Sequence, residues 1–187
     1  MSASELQETV REMERDLERL SKVTQRFSHS GSEPRLSPQE VEPIAREVAG
    51  YMRRRMPQNP DEVTLTERYA PAPAVNLNAE LVAWALENLI SNALSAIEQR
   101  PGRIQVVVEP QPDQKAVDIA VVDNGRGMSA RERKRAFEAG YTTKRRGWGL
   151  GLALTRRVVE EYHGGRVFIR HSAPGAGTTV VIRLPVA

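Results

Sequence analysis

The chain has 187 residues, 40% of them hydrophobic, and its 27 Lys or Arg against 24 Asp or Glu leave a net charge of +3. That length and apolar content suffice for one domain with a real core and a small appendage. There is no cysteine, which excludes disulfides and thiolate metal sites and is compatible with a reducing cytoplasm, and no apolar run approaches the length needed to span a bilayer. No signal peptide is recognisable, so a cytoplasmic chain without direct membrane insertion is expected.

In chain order, the first pattern is Leu6, Val10, Met13, Leu17, Leu20, Thr24 and Phe27, alternately four and three residues apart. This is a coiled-coil seam of about three heptads, which predicts a homodimer through the N-terminal helix. An amphipathic helix folding back on its own domain is the alternative. Ser28 to Leu36, with Gly31, Ser32 and Pro34, reads as a linker, placing boundaries at 1–30, 31–36 and 37–187. Ser37-Pro38-Gln39-Glu40 predicts a helix start, with a serine cap, proline at the first helical position and glutamate at the third; Val41, Ile44, Ala45, Val48 and Met52 mark the apolar face. Short strands are expected at Glu62 to Tyr69 and Ala74 to Leu77.

Ala79 to Gln99 carries apolar residues at helical period from Leu81 to Ile97, and Asn88 and Asn92 stand one turn apart on it. Two stacked amides suit a hard cation that keeps some of its water and shares phosphate oxygens; two polar residues facing solvent is the plainer alternative. Arg103 to Val108 and Ala116 to Val122 predict a longer antiparallel pair. Asp123, at the end of the second strand, could accept a hydrogen bond from an exocyclic amine such as adenine's, and Gly125 and Gly127 let the backbone approach a planar ligand closely. An ordinary Asp-Asn-Gly turn would also account for these residues.

Arg126 to Arg146 holds eight Lys or Arg against two Glu. Gly147, Gly149 and Gly151 then lead into an apolar pattern that predicts a helix to about His163. A glycine-rich helix start directs backbone N–H groups and a positive dipole end at an anion, and the preceding basic run fits an anionic ligand, although it could equally be a solvated face. Arg166 to Arg170 and Thr178 to Leu184 complete the strands. The expected architecture is an α/β (α+β) two-layer sandwich, a mixed, largely antiparallel sheet packed on about three helices and preceded by the coiled-coil-like helix.

Taken together, Glu87 to Ala93, Asp123 to Gly127, Phe137 to Lys144, Gly147 to Leu152 and Gly177-Thr178-Thr179 resemble the successive nucleotide-binding boxes of the catalytic and ATP-binding domain of sensor histidine kinases. The resemblance runs from about Leu36 to Pro185. It implies a Bergerat-type site for ATP and Mg2+, shared with type II topoisomerases, mismatch-repair ATPases and a class of chaperones. Asn92 would bind magnesium, and Asn88 would contribute to the metal and phosphate site. Asp123 would read the adenine amine beside Gly125 and Gly127. Lys144 would reach the phosphates from a mobile lid spanning roughly Ser129 to Arg146 and anchored by Phe137. Gly147, Gly149, Leu150, Gly151 and Leu152 would line the triphosphate, with Thr178 or Thr179 near the adenine.

In the hydrolytic relatives the position resembling Asn88 is typically a glutamate base, so the likeness is closest to kinases. The family's phosphoacceptor histidine, followed at once by an acidic residue, has no counterpart here. His29, His163 and His171 stand in no such context and read as surface or packing residues. The expected activity is transfer of the ATP γ-phosphoryl group to a histidine that this chain lacks. The implied partners are a histidine-bearing dimerisation domain and a response regulator, with no nucleic acid. The alternatives are a nucleotide-gated interaction module, an ATPase, or an anti-sigma-type serine kinase of the same superfamily.

Overall fold

The structure, a computed structural model, describes residues 34–57, 59, 61–143 and 149–187. The N-terminal heptad seam and most of the linker lie outside the described residues. The first described element corrects an expectation. Ser37–Gln39 is a strand (β1), not the capped start of a helix, and it pairs antiparallel with Val75–Leu77 (β3). Pro38 explains the exchange: it holds the preceding residue extended and lacks an N–H, which a two-stranded edge tolerates. Gln39 secures the pairing by donating from its side chain to the carbonyl of Leu77 at 3.2 Å. The helix α1 therefore begins later, at Val41–Arg55, with Glu40 in extended conformation before it. Pro43 occupies its first turn, where a missing N–H costs nothing. Val41, Ala45, Val48 and Ala49 face inward at helical spacing, and three arginines end the helix where its dipole is negative.

After β2 (Val63–Tyr69) and β3 comes the long helix α2, Ala79–Ala96. Asn78 caps it, its side-chain oxygen accepting from the N–H of Leu81 at 3.1 Å. The helix ends before the expected Gln99, at Ile97, which turns extended and donates its N–H to the carbonyl of Leu94, and the carbonyl of Ala96 so freed accepts from the N–H of Arg126 at 2.9 Å. Strands β4 (Gly102–Gln111), β5 (Ala116–Asp123), β6 (Arg166–Ser172) and β7 (Thr178–Pro185) follow the expected segments with slightly longer ends. The five-stranded order is β2-β4-β5-β7-β6. β2 runs parallel to β4, joined to it through β3 and α2, and the other pairings are antiparallel. This is the mixed, largely antiparallel sheet expected.

Two further helices follow: α3 (Ala130–Arg135), which buries no residue, and α4 (Gly151–Arg157), which completes the layer and continues as a π-helical turn over Val158–Tyr162. α1 packs on β2 and β4, α2 on β4 and β5, and α4 on β6. Between them Leu77, Leu86, Leu89, Ile90, Ile104, Ile119, Ile182 and Leu184 are fully buried. The opposite face of the sheet carries a smaller apolar strip of Val107, Ala120 and Val181 with Phe168 against it. Beside that strip the buried Asp118 is held by Arg183 at 2.6 Å and 2.8 Å and by Arg170 at 2.6 Å.

His163, at the end of the π-helical turn, is a packing residue as expected. Its Nδ1 donates to the carbonyl of Val158 at 2.7 Å and its Nε2 accepts from the N–H of Asn78 at 3.0 Å, so a neutral ring ties α4 to the cap of α2. His171 is exposed, and His29 lies outside the described residues.

Candidate nucleotide site

The site is organised by the ends of β5 and α2. β5 is apolar or buried along its length, so Asp123 at its end is carried almost out of solvent, 9% exposed. Its Oδ1 accepts from the N–H of Gly125 at 2.8 Å. Burial pushes the carboxyl above the ordinary carboxylate range, opposed by the backbone N–H groups of Gly125 and Thr178. Among the described residues no Lys or Arg forms an ion pair with it.

Thr178 is the cross-strand partner of Asp123 on β7. Its hydroxyl is committed to the Ser172 hydroxyl at 3.0 Å, and Ser172 also bonds the carbonyl of Gly177 at 3.2 Å. Thr178 thus meets the carboxylate through its backbone. Ser172 escaped the sequence reading, and only its register opposite Thr178 reveals it.

The turn after Asp123 requires glycine at Gly127. Its φ is +68°, and a Cβ there would lie 1.8 Å from the carbonyl oxygen of Ala173. The β5 turn and the β6–β7 turn therefore touch backbone to backbone.

Asn88 meets the second glycine segment directly. Its Nδ2 donates to Thr155 Oγ1 at 2.8 Å, one turn into α4, and Thr155 is fully buried. A Cβ on Gly151 would lie 2.4 Å from Asn88 Oδ1, so the absent side chain at Gly151 is what lets α4 begin against the amide. The structure thus brings Asn88 and Gly151 together, with Thr155 as the partner that the sequence reading missed; its position one turn after Gly151 is the available signal. Asn92 lies one turn further along α2 and is half-buried. Leu150 stands at the N-cap of α4 with no side-chain cap, and Leu152 is in the first turn, both half-buried. Gly149 accepts from the N–H of Gly140 at 3.1 Å. Lys144 and Gly147 lie outside the described residues, as do Arg145, Arg146 and Trp148.

The described part of the segment expected as a lid, Ser129 to Thr143, opens with α3. Ser129 and Glu132 form a capping box: Ser129 Oγ accepts from the N–H of Glu132 at 3.3 Å, and the Glu132 carboxylate accepts from the N–H of Ser129 at 2.7 Å. Ser-x-x-Glu was a legible helix signal at this position. Phe137 is half-buried after the buried Ala136.

Among the described residues no group of three His, Asp or Glu side chains could hold a metal by itself. The oxygens in the right segment are the amides of Asn88 and Asn92. Such a neutral, sparse set fits magnesium shared with phosphate and water, which does not need a protein cage.

Residues 78–187 match the family of histidine kinase-, DNA gyrase B- and HSP90-like ATPases, and the chain belongs to it. Nitrogen regulation protein NtrY of Azorhizobium caulinodans is 32% identical over 157 residues, covering 81% of this chain and 20% of its own length. Sensor histidine kinase ZraS of Klebsiella oxytoca is 31% identical over 177 residues, covering 93% of this chain and 37% of its own. Full-length ShkA, solved in complex with AMPPNP, superposes with a TM-score of 0.70 at 27% identity, over 81% of this chain and 31% of that one. The chain spans about a fifth to just over a third of the length of these curated relatives.

Proposed function

We propose that this chain is the ATP-binding catalytic domain, residues 37–187, of a sensor histidine kinase, and that it transfers the γ-phosphoryl group of ATP to a histidine on a dimerisation domain. The observation that carries the reading is Asp123, a carboxylate 9% exposed at a strand end and, among the described residues, held by backbone N–H groups with no cationic partner. A buried charge without a cationic partner opposes folding, and a ligand that supplies a donor is the physical reason to keep it. Adenine's exocyclic amine is such a donor. The family to which residues 78–187 belong and the likeness to NtrY and ZraS favour a kinase within that class.

On this reading Asn88 and Asn92 hold magnesium, which neutralises charge on the phosphates when bound. Gly149, Leu150, Gly151 and Leu152 border the phosphates at the start of α4, and Lys144 and Gly147 complete the set. Thr178 holds Asp123 in place from β7. Catalysis rests on positioning and charge neutralisation, since phosphoryl transfer asks little covalent chemistry of the protein. An amide at Asn88 offers no general base to a water, which favours transfer over hydrolysis. The N-terminal heptads make a homodimer, and the phosphorylated histidine passes its group to a response regulator. Among the described residues no helix is long and apolar enough to cross a membrane.

Calorimetry tests the nucleotide site. Mg-ATP binds wild type, and Asp123→Ala loses about 1.5–3 kcal/mol, the worth of one charge-assisted hydrogen bond. Absence of adenine-nucleotide binding at millimolar concentration, or unchanged binding by Asp123→Ala, overturns the assignment.

A further inference from the structure

Arg126 stands between the glycines that follow Asp123, and it touches four separate parts of the fold. Its N–H donates to the Ala96 carbonyl at the end of α2 at 2.9 Å, and its own carbonyl accepts from the N–H of Gly175, in the β6–β7 turn, at 2.7 Å. Its guanidinium reaches the other way. Nη1 donates to Glu132 Oε1 at 3.2 Å and Nη2 to Thr143 Oγ1 at 2.5 Å. One side chain therefore grips both the capping box that opens α3 and Thr143, eleven residues further along the same segment.

The gripped segment is also bonded within itself. Tyr141 donates its N–H to the Glu138 carbonyl at 3.1 Å, and Arg135 pairs with Glu138 at 2.8 Å while lying 4.3 Å over the Tyr141 ring. Its far side reaches Gly149 through the N–H of Gly140. A path thus runs from the turn beside Asp123 through Arg126 to Thr143, along the three backbone steps back to Gly140, and by its N–H to the carbonyl of Gly149, the glycine that leads into α4. A planar guanidinium suits this place, because two divergent donors must meet two acceptors at once; an ammonium is a single point charge.

We propose that Arg126 is a positioning residue which sets the glycine start of α4 relative to the Asp123 pocket, so that the base and phosphates of one nucleotide are held in register. This rests on the nucleotide reading above. Arg126 acts through Thr143 and Glu132 rather than by touching the ligand. Breaking its grip leaves the base pocket in place and loosens the phosphate side.

The test uses the full chain with Arg126→Ala and Arg126→Lys. Amide hydrogen exchange at residues 149–152, without nucleotide, speeds up in Arg126→Ala and less in Arg126→Lys. In calorimetry Arg126→Ala binds adenosine within about twofold of wild type but Mg-ATP about tenfold more weakly, and the Mg-ATP loss is non-additive with Thr143→Val. Unchanged exchange at 149–152 overturns the proposal, and an Mg-ATP loss without faster exchange there assigns Arg126 to direct contact with phosphate instead. Equal losses of adenosine and ATP also overturn it, because a collapsed turn rather than a registered pair of subsites is then responsible. Since the exchange measurement needs no ligand, failure of wild type to bind ATP strikes the nucleotide assignment separately.

Discussion

The helix-facing layer of the sheet and the rim at the end of β5 are built on opposite rules. In the layer, side chains define the structure: Leu86, Ile104, Ile119 and Ile182 from different elements fill one space, and each is fully buried. At the rim, missing side chains define it: Gly127 brings two turns into backbone contact, and Gly151 brings α4 onto Asn88. The layer spreads its specification over many contacts, so each loss is graded. The rim depends on single atoms, so one added methyl group changes which segments can meet. Stability and ligand binding should therefore separate on mutation.

The largest effect is expected in the layer. Ile182→Ala removes a fully buried side chain and should cost about 2–5 kcal/mol in denaturant unfolding. Nucleotide affinity measured on the folded protein should stay unchanged, and a lost affinity would break the separation. Gly127→Ala asks the reverse. A positive φ and the contact with Ala173 should cost about 1–3 kcal/mol of stability while weakening Mg-ATP at least about tenfold, as calorimetry can show.

Asp123 sharpens the contrast through pH. Its folded pKa is raised, chiefly by burial, so its charge opposes folding at neutral pH and does so less as pH falls through the folded pKa. Binding moves the other way, because the protonated carboxyl is a weaker acceptor for an amine. Calorimetry should show Mg-ATP affinity falling on mild acidification, starting above the ordinary carboxylate range, and no such fall attributable to this site in Asp123→Asn.

The smallest effect belongs to His163, on the layer side. Burial lowers its folded pKa below the unfolded value, against the opposing bonds to Val158 and Asn78. The unfolded state therefore binds the proton first. The contribution of His163 is fully present above about pH 6.5 and declines as pH falls below that. Unfolding curves of His163→Gln should lack this part of the pH slope.

How much was legible in the sequence follows the same division. α2 could be read because periodicity records which face is buried, and β5 because it is a short, nearly continuous apolar run. Gly125, Gly127 and Gly151 were expected to admit a ligand, whereas the groups that the structure brings against them are Ala96, Ala173 and Asn88, partners distant in sequence. Ser37 to Glu40 was misread because its capping pattern is local, whereas the pairing with Val75 to Leu77 that prevails lies far along the chain. α3 buries no residue and so leaves no apolar period; its one local signal is the Ser129-x-x-Glu132 capping box, which the expected lid did not use. Thr155, Ser172 and Arg126 act through partners distant in sequence, and nothing in their own neighbourhoods records those partners.

Phosphotransfer tests the central claim most directly. The full chain, incubated with γ-labelled ATP and magnesium, should itself stay unlabelled and turn ATP over slowly, while acid-labile label appears on an added dimerisation domain carrying its histidine and adjacent acid. Label on His29, His163 or His171 of the isolated chain, or steady hydrolysis faster than about one per second with no label on the added domain, would contradict it.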